Sequence, residues 1–146
     1  MAKSDWAMDH VRRYRETGGT DGHIWKGHDG KGHFPCLLLT TTGRKSGEAR
    51  TTPLIYGRDG ADYVVIASQG GRPVHPYWYL NLEENPRVEV QVEAETFAAT
   101  ARAAGGDDRE RLWSMMARLY PPYDDYRVKA AATREVPVVV LSRALA

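Results

Sequence analysis

A single cysteine, Cys36, is all the chain carries. That excludes an internal disulfide, and with it the stapled scaffolds of small secreted domains, so a reducing, cytoplasmic setting is expected. No run of about 18 apolar residues occurs, so no membrane-spanning helix is expected. The opening Met1-Ala2-Lys3-Ser4-Asp5 lacks the charged-then-apolar plan of a secretory signal. Charge of one sign is also missing. Twenty Lys+Arg face nineteen Asp+Glu, a formal net charge of +1, which argues against a protein that coats a polyanion and removes nucleic acid from the expected partners. Any anion site must therefore be local.

Catalytic signatures are scarce as well. Ala67-Ser68-Gln69 is not the Gly-x-Ser-x-Gly elbow of many hydrolases, although His75 lies nearby in sequence. His23, His28 and His33 recur every five residues with no cysteine close by and no common helical face, so they read as a polar loop and no metal site is expected. Where no nucleophile or acid–base pair stands out, chemistry supplied by a bound coenzyme is the natural alternative.

What is present is a strand-rich domain. At 146 residues the chain can bury about two thirds of the surface of its unfolded form without staples. Residues 4–17 place Ala7, Val11 and Tyr14 on one stripe ahead of Gly18-Gly19, which predicts a short amphipathic helix. Residues 34–41, 51–56, 63–68, 87–93, 96–103 and 136–141 read as six strands joined by short turns, hence mostly antiparallel. Val88, Val90 and Val92 alternate with Glu89, Gln91 and Glu93, so that strand has one buried and one wet face. Residues 76–84 and 107–119 are predicted helices, the second with Asp107 and Glu110 at capping-box spacing. The double proline Pro121-Pro122 argues against a regular helix through residue 122. The expected class is α+β: a six-stranded, mostly antiparallel split β-barrel with about three peripheral helices. Residues 1–33 would form an amino-terminal helix and polar loop, and 34–146 the barrel.

Three stretches carry chemistry. Gly43-Arg44-Lys45-Ser46-Gly47, with Arg50 beyond, sets three cations and flexible backbone in one hairpin turn, as a phosphate site requires. A solvated turn would carry the same residues, and no Walker A follows. Pro76-Tyr77-Trp78-Tyr79-Leu80-Asn81-Leu82, after Ala67-Ser68-Gln69-Gly70-Gly71, could wall a planar ring or simply anchor a core. Tyr120, Tyr123 and Tyr126 offer apolar faces with hydroxyls that can donate to an oxygen, or a cover for one end of the barrel.

Taken in order, these stretches together with Leu39-Thr40-Thr41-Thr42 and Thr52-Pro53-Leu54 resemble the deazaflavin-dependent nitroreductase family over roughly residues 34–142. The resemblance implies a split barrel, related to flavin-binding barrels, that binds the 5-deazaflavin coenzyme F-420, with FMN as the alternative ligand. By that likeness Arg44, Lys45 and Arg50 would hold the phosphate and the acidic tail. Pro53, Ala67, Ser68, Gln69, Gly70, Trp78 and Asn81 would line the deazaflavin. Tyr120, Tyr123 and Tyr126 would form the acceptor side, with Tyr123 and Ser68 as candidate donors to the acceptor. Ile55 stands where a nitroimidazole-activating member has a tyrosine, and Gln69 where a lysine is common.

The resulting expectation is an oxidoreductase that passes hydride from the reduced coenzyme to a hydrophobic quinone, conjugated enone or nitroaromatic. A non-catalytic deazaflavin- or FMN-binding barrel is the rival reading. The basic amino-terminal helix, with Trp6, would cover the acceptor entrance, touch an anionic membrane surface loosely or pack on the barrel. Monomer and homodimer both remain open.

Overall fold

The computed structural model describes residues 2–144, with side chains from Trp6 onward; Met1, Leu145 and Ala146 lie outside the described residues. In chain order the elements are α1 (Ala2–Glu16), β1 (Ile24–Trp25), β2 (Phe34–Thr42), β3 (Ala49–Ile55), β4 (Gly57–Asp59), β5 (Asp62–Ile66), α2 (Tyr77–Glu84), β6 (Arg87–Val92), β7 (Glu95–Ala103), α3 (Gly106–Leu119), α4 (Pro122–Ala130) and β8 (Val138–Arg143). A single 3-10 turn, Gln69–Gly71, links β5 to α2.

All strand pairings are antiparallel. The main sheet runs β3-β2-β6-β7-β8-β5-β4, with β1 added beside the start of β2. Its two edge strands, β3 and β4, are consecutive in the chain and separated by Tyr56 alone. The sheet must therefore curl until its edges meet, and since β3 pairs with β2 and not with β4 or β5, the barrel stays split along that seam. Edge position also explains how β3 tolerates Pro53, which has no N–H to give a second neighbour.

Strand alternation sorts the core into two layers. Leu37, Leu39, Tyr63, Val65, Val90, Val139 and Leu141 fill the barrel. Val64, Ile66, Val138 and Val140 face outward against Leu112, Trp113 and Met116 of α3 and against Tyr120 and Tyr123. With both faces of β8 covered, its unbroken apolar run follows. Along β6, Val88 and Val90 are buried while Glu89 is exposed.

The α+β split-barrel expectation holds, with three differences in detail. The two-residue strand Ile24–Trp25 and the three-residue strand Gly57–Asp59 are too short to show a period, and they bring the strands to eight among the described residues. No helix runs through the double proline, α3 ending at Leu119, but an additional fourth helix, α4, starts at Pro122, because a proline in the first turn of a helix forfeits an N–H that has no intrahelical partner there. Helix α3 begins one residue early, with Gly105 as its cap and no side-chain capping bond, so Asp107 sits in the first turn and the capping box does not form.

Candidate active site

The unpaired seam opens into a cleft of about 1220 Å³, lined by β3, the end of β5, the 3-10 turn, α2, α4 and residues 6–10 of α1. Of the sequence candidates, Arg44, Lys45, Arg50, Pro53, Ser68, Gln69, Gly70, Trp78, Asn81, Tyr120, Tyr123 and Tyr126 all line it. Ala67 does not. It is fully buried, with its methyl packed in the barrel core.

The basic turn is shaped by its glycines. Gly43 N–H donates to the Glu48 carbonyl at 2.7 Å and Gly47 N–H to the Gly43 carbonyl at 2.8 Å. Gly47 takes φ +73, which glycine adopts without strain, and a Cβ on Gly43 would fall 2.6 Å from Ser46 Oγ. The turn is bolted to α2 by Asn81, whose side-chain oxygen accepts from Arg44 N–H and from Arg44 Nη1, both at 3.1 Å. The Asn81 amide in turn donates to Thr41 Oγ1 at 3.1 Å. At 3% exposure, Asn81 acts mainly by placing the turn. Arg44 also lies 5.7 Å from the Tyr77 ring centroid. The N–H groups of Lys45 and Ser46 have no protein acceptor among the described residues, which leaves them free to donate. Arg50 makes an exposed pair with Glu48 at 3.2 Å, worth little in water and easily exchanged.

Opposite the turn, Ser68 is buried to 8% exposure and followed by three successive left-handed residues: Gln69 (φ +46), Gly70 (φ +64) and Gly71 (φ +79). Gln69 Nε2 donates to the Val74 carbonyl at 3.1 Å, which tightens this bend. A Cβ on Gly70 would meet nothing within 4 Å, so the backbone there faces open space.

Tyr120, Tyr123 and Tyr126 form the third wall. Tyr120 is the hub, with its ring 4.9 Å from both Phe34 and Tyr123 in edge-to-face geometry and its hydroxyl 3.5 Å from that of Tyr126. The Tyr123 hydroxyl has no hydrogen-bond partner among the described residues. Burial pushes both the Tyr120 and Tyr123 phenols well above their ordinary range, so both stay protonated and can donate. The Cys36 thiol, also in the cleft, is pushed up to about 12 by burial and is inert as a nucleophile.

Several cleft residues carried no signal in the sequence. Arg72 and Lys129 add two cations, Lys129 from the helix α4 that the sequence did not announce. Among the described residues the lining then holds five Arg or Lys side chains and no carboxylate. Met8, His10 and Trp25 line the cleft beside the expected Trp6, with Trp6 and Met8 exposed and His10 buried. Helix α1 reaches it because Tyr14, fully buried, donates to the Cys36 carbonyl at 3.0 Å and accepts from Glu93 N–H at 2.8 Å. The helix thus both packs on the barrel and rims the cleft. Of the loop histidines, His23 bonds Tyr56 OH at 2.9 Å and His28 lies 5.0 Å from the Trp25 ring at the cleft, and among the described residues no three metal-ligating side chains cluster.

A split barrel whose open seam is basic on one side and aromatic on the other has the chemistry to receive an anionic, planar ligand. Residues 6–143 match the family model described as F420H(2)-dependent quinone reductase, and the chain belongs to that family. It is 43% identical over 131 residues to an F420H(2)-dependent quinone reductase of Mycobacterium tuberculosis, covering 86% of this chain and 83% of the relative. A solved F420-H2 dependent reductase is 40% identical with a TM-score of 0.67, covering 74% of this chain and 94% of that one. A second solved structure, a domain-swapped dimer, is 37% identical with a TM-score of 0.70 and covers 96% of this chain and 99% of its own. The chain is thus an F420H(2)-dependent reductase, with F-420 as its coenzyme.

Proposed function

We propose that this protein reduces hydrophobic quinones by hydride transfer from reduced F-420 bound along the seam. The observation that carries the reading is the lining of the cleft: among the described residues it sets five cations and no carboxylate opposite three tyrosines, in a chain whose overall charge is nearly balanced. A site of about 1220 Å³ exceeds the roughly 300–1,000 Å³ usual for one small ligand, so coenzyme and acceptor fit together.

The residues present suit the coenzyme. Lys45, Arg50 and the free amides of the basic turn would hold its phosphate and acidic tail, with Asn81 keeping the turn in place. Pro53, Trp78 and the Ser68-Gln69-Gly70 bend would flank the flat ring system, since Gly70 allows close approach to backbone. When bound, the reduced deazaflavin supplies a hydride, that is, two electrons and one proton together.

The protein's own part is placement and electrostatics. Tyr120, Tyr123 and Tyr126 would wall the acceptor's side of the cleft and exclude water from it. As a quinone takes up a hydride, negative charge grows on its oxygens, and a phenol O–H aimed there stabilises the charge. One further proton, drawn from solvent through the donor, completes the quinol. Tyr123, with an unclaimed hydroxyl, is the first candidate donor and Ser68 the second. Conjugated enones and nitroaromatics develop similar charge on oxygen and are further candidate acceptors.

The test is anaerobic mixing of the protein and reduced F-420 with quinones of graded hydrophobicity, alongside an absorbance titration with oxidised F-420 and with FMN. Reoxidation faster than the protein-free blank, with F-420 bound in preference to FMN, is the expected outcome. Binding without turnover on any acceptor would make the protein a coenzyme carrier instead.

A further inference from the structure

We infer that Arg134 is a positioning residue for the cleft: its guanidinium fixes the Ser68-Gln69-Gly70 bend and ties it to the tyrosine wall. This rests on the reading above insofar as the coenzyme lies on that bend.

Arg134 sits between α4 and β8, and each of its side-chain bonds goes to residues 67–75. Nη2 donates to the Ser68 carbonyl at 2.7 Å, Nη1 to the Ala67 carbonyl and to His75 Nδ1, each at 3.0 Å, and Nε to the Arg72 carbonyl at 2.9 Å. Three carbonyl dipoles thus converge on one planar cation. Without it their oxygens would repel one another in a partly buried space. A guanidinium offers five N–H donors in a fixed fork and no lone pair, so it suits a set made only of acceptors; an ammonium cannot span it. No carboxylate lies within ion-pair distance of Arg134 among the described residues, which leaves its charge to these dipoles.

The bend needs such a clamp. Gln69, a non-glycine residue, stands at φ +46 in a region that persists only where the surroundings impose it. The turn's internal bonds, Gly71 N–H to Ser68 at 2.8 Å and Arg72 N–H to Gln69 at 3.2 Å, shape it locally but do not tie it to the barrel. Arg134 supplies the tie, because its own N–H is held by the Ala130 carbonyl at the end of α4, at 3.0 Å. On the same side, a Cβ on Gly71 would come within 3.0 Å of the Tyr126 backbone. Arg134 and this close backbone approach together set the spacing between the proposed coenzyme side and the acceptor side.

The experiment compares wild type with Arg134→Gln, Arg134→Lys and Arg134→Gly. Each is examined for hydrogen exchange at the Gly71 and Arg72 amides without coenzyme, for affinity toward oxidised F-420, and for a cooperative melt. Arg134→Gln should exchange at these amides roughly tenfold faster or more and bind F-420 roughly tenfold more weakly, as expected for loss of charge-assisted bonds. Arg134→Lys should resemble it despite keeping the charge. Added guanidinium ion, and not methylammonium, should restore binding to Arg134→Gly. Folded variants with wild-type exchange and wild-type affinity would overturn the role, as would full recovery by lysine. Failure of every variant to fold, with no recovery in guanidinium, would assign Arg134 to stability alone. If wild type binds no F-420, the functional reading falls, while the exchange measurement still decides what Arg134 does to the bend.

Discussion

The side-chain oxygen of Asn81 accepts both the backbone N–H and the guanidinium of Arg44 at 3.1 Å, so one buried amide on α2 sets the position of the basic turn. Replacing Asn81 by Leu leaves Arg44 N–H and Thr41 Oγ1 without their partner. An orphaned buried polar group costs about 1–3 kcal/mol. Coenzyme affinity should fall about tenfold while the barrel still melts cooperatively. An F-420 titration beside a thermal melt checks this, and unchanged affinity would show that the turn needs no anchor.

The exposed cations act differently. Lys45 and Arg50 are both exposed, and Arg50 has only a surface pair with Glu48 to give up. Lys45→Ala and Arg50→Ala should each weaken F-420 binding by roughly ten- to a hundredfold, with stability unchanged. Raising salt should weaken wild-type binding more steeply than that of either variant, because fewer charge contacts remain to be screened. Parallel salt slopes would remove these side chains from the site.

Much of this site is legible in the sequence because its parts are short and local. A glycine-bounded basic turn, a glycine-rich bend and a tyrosine triplet each occupy fewer than ten residues, and their order is what resembles the family. What the sequence does not reveal is contact across the fold. Arg134 lies 66 residues from Ser68, in a loop with no periodicity. Lys129 reaches the cleft only through α4, a short helix that begins at a proline and shows little periodicity of its own. Ala67 fails in the opposite sense: it sits in a motif, yet strand alternation turns its methyl into the core. Short strands such as Ile24–Trp25 form because β2 is there to pair with, and propensity alone does not announce them.

Acid should loosen the bend. His75 Nδ1 must accept from Arg134, so the imidazole is held neutral, and burial first and the Arg134 charge second lower its pKa below 6.5, against a smaller opposing pull from Glu83. Tyr79, its ring 4.8 Å away, is uncharged in this range. Between 6.5 and the lowered value the unfolded chain binds a proton that the folded chain does not. Stability should therefore drop as pH falls through that window and stay reduced below it. His75→Gln should flatten the Tm profile there. The arginine-paired carboxylates Asp59 and Glu110 titrate lower, below their ordinary 3.8 and 4.5, and do not obscure the effect.

The mouth of the cleft should read acceptor length. Trp6 and Met8 are 50% and 69% exposed at its rim, where an apolar chain leaving the ring would pass. Burying part of each is worth about 1 kcal/mol. Trp6→Ser with Met8→Ser should raise KM several-fold for long-chain quinones and leave short-chain quinones unaffected. Deleting the helix is the wrong test, because it also removes the buried Tyr14. Equal changes for long and short acceptors would assign α1 to packing.

The tyrosine hydroxyls separate wall from donor. Tyr120 and Tyr126 are within 3.5 Å of each other, so either can lose its oxygen and leave the other to reorganise. Tyr123 has no such neighbour: its ring is 5% exposed and its hydroxyl is unclaimed among the described residues. Tyr123→Phe keeps the ring and its contact with Tyr120, so coenzyme affinity and stability should stay near wild type. A donor aimed at developing charge strengthens in the transition state more than in the ground state. Its loss should thus lower kcat by about ten- to a hundredfold with little change in KM, since charge-assisted bonds of this kind are worth about 1.5–3 kcal/mol. Single-turnover reoxidation of reduced F-420 by a short-chain quinone measures the step directly. If Tyr123→Phe turns over normally and Ser68→Ala does not, the serine is the donor. Normal turnover in both, and in Tyr120→Phe and Tyr126→Phe, would leave the aromatics as walls and the proton to solvent.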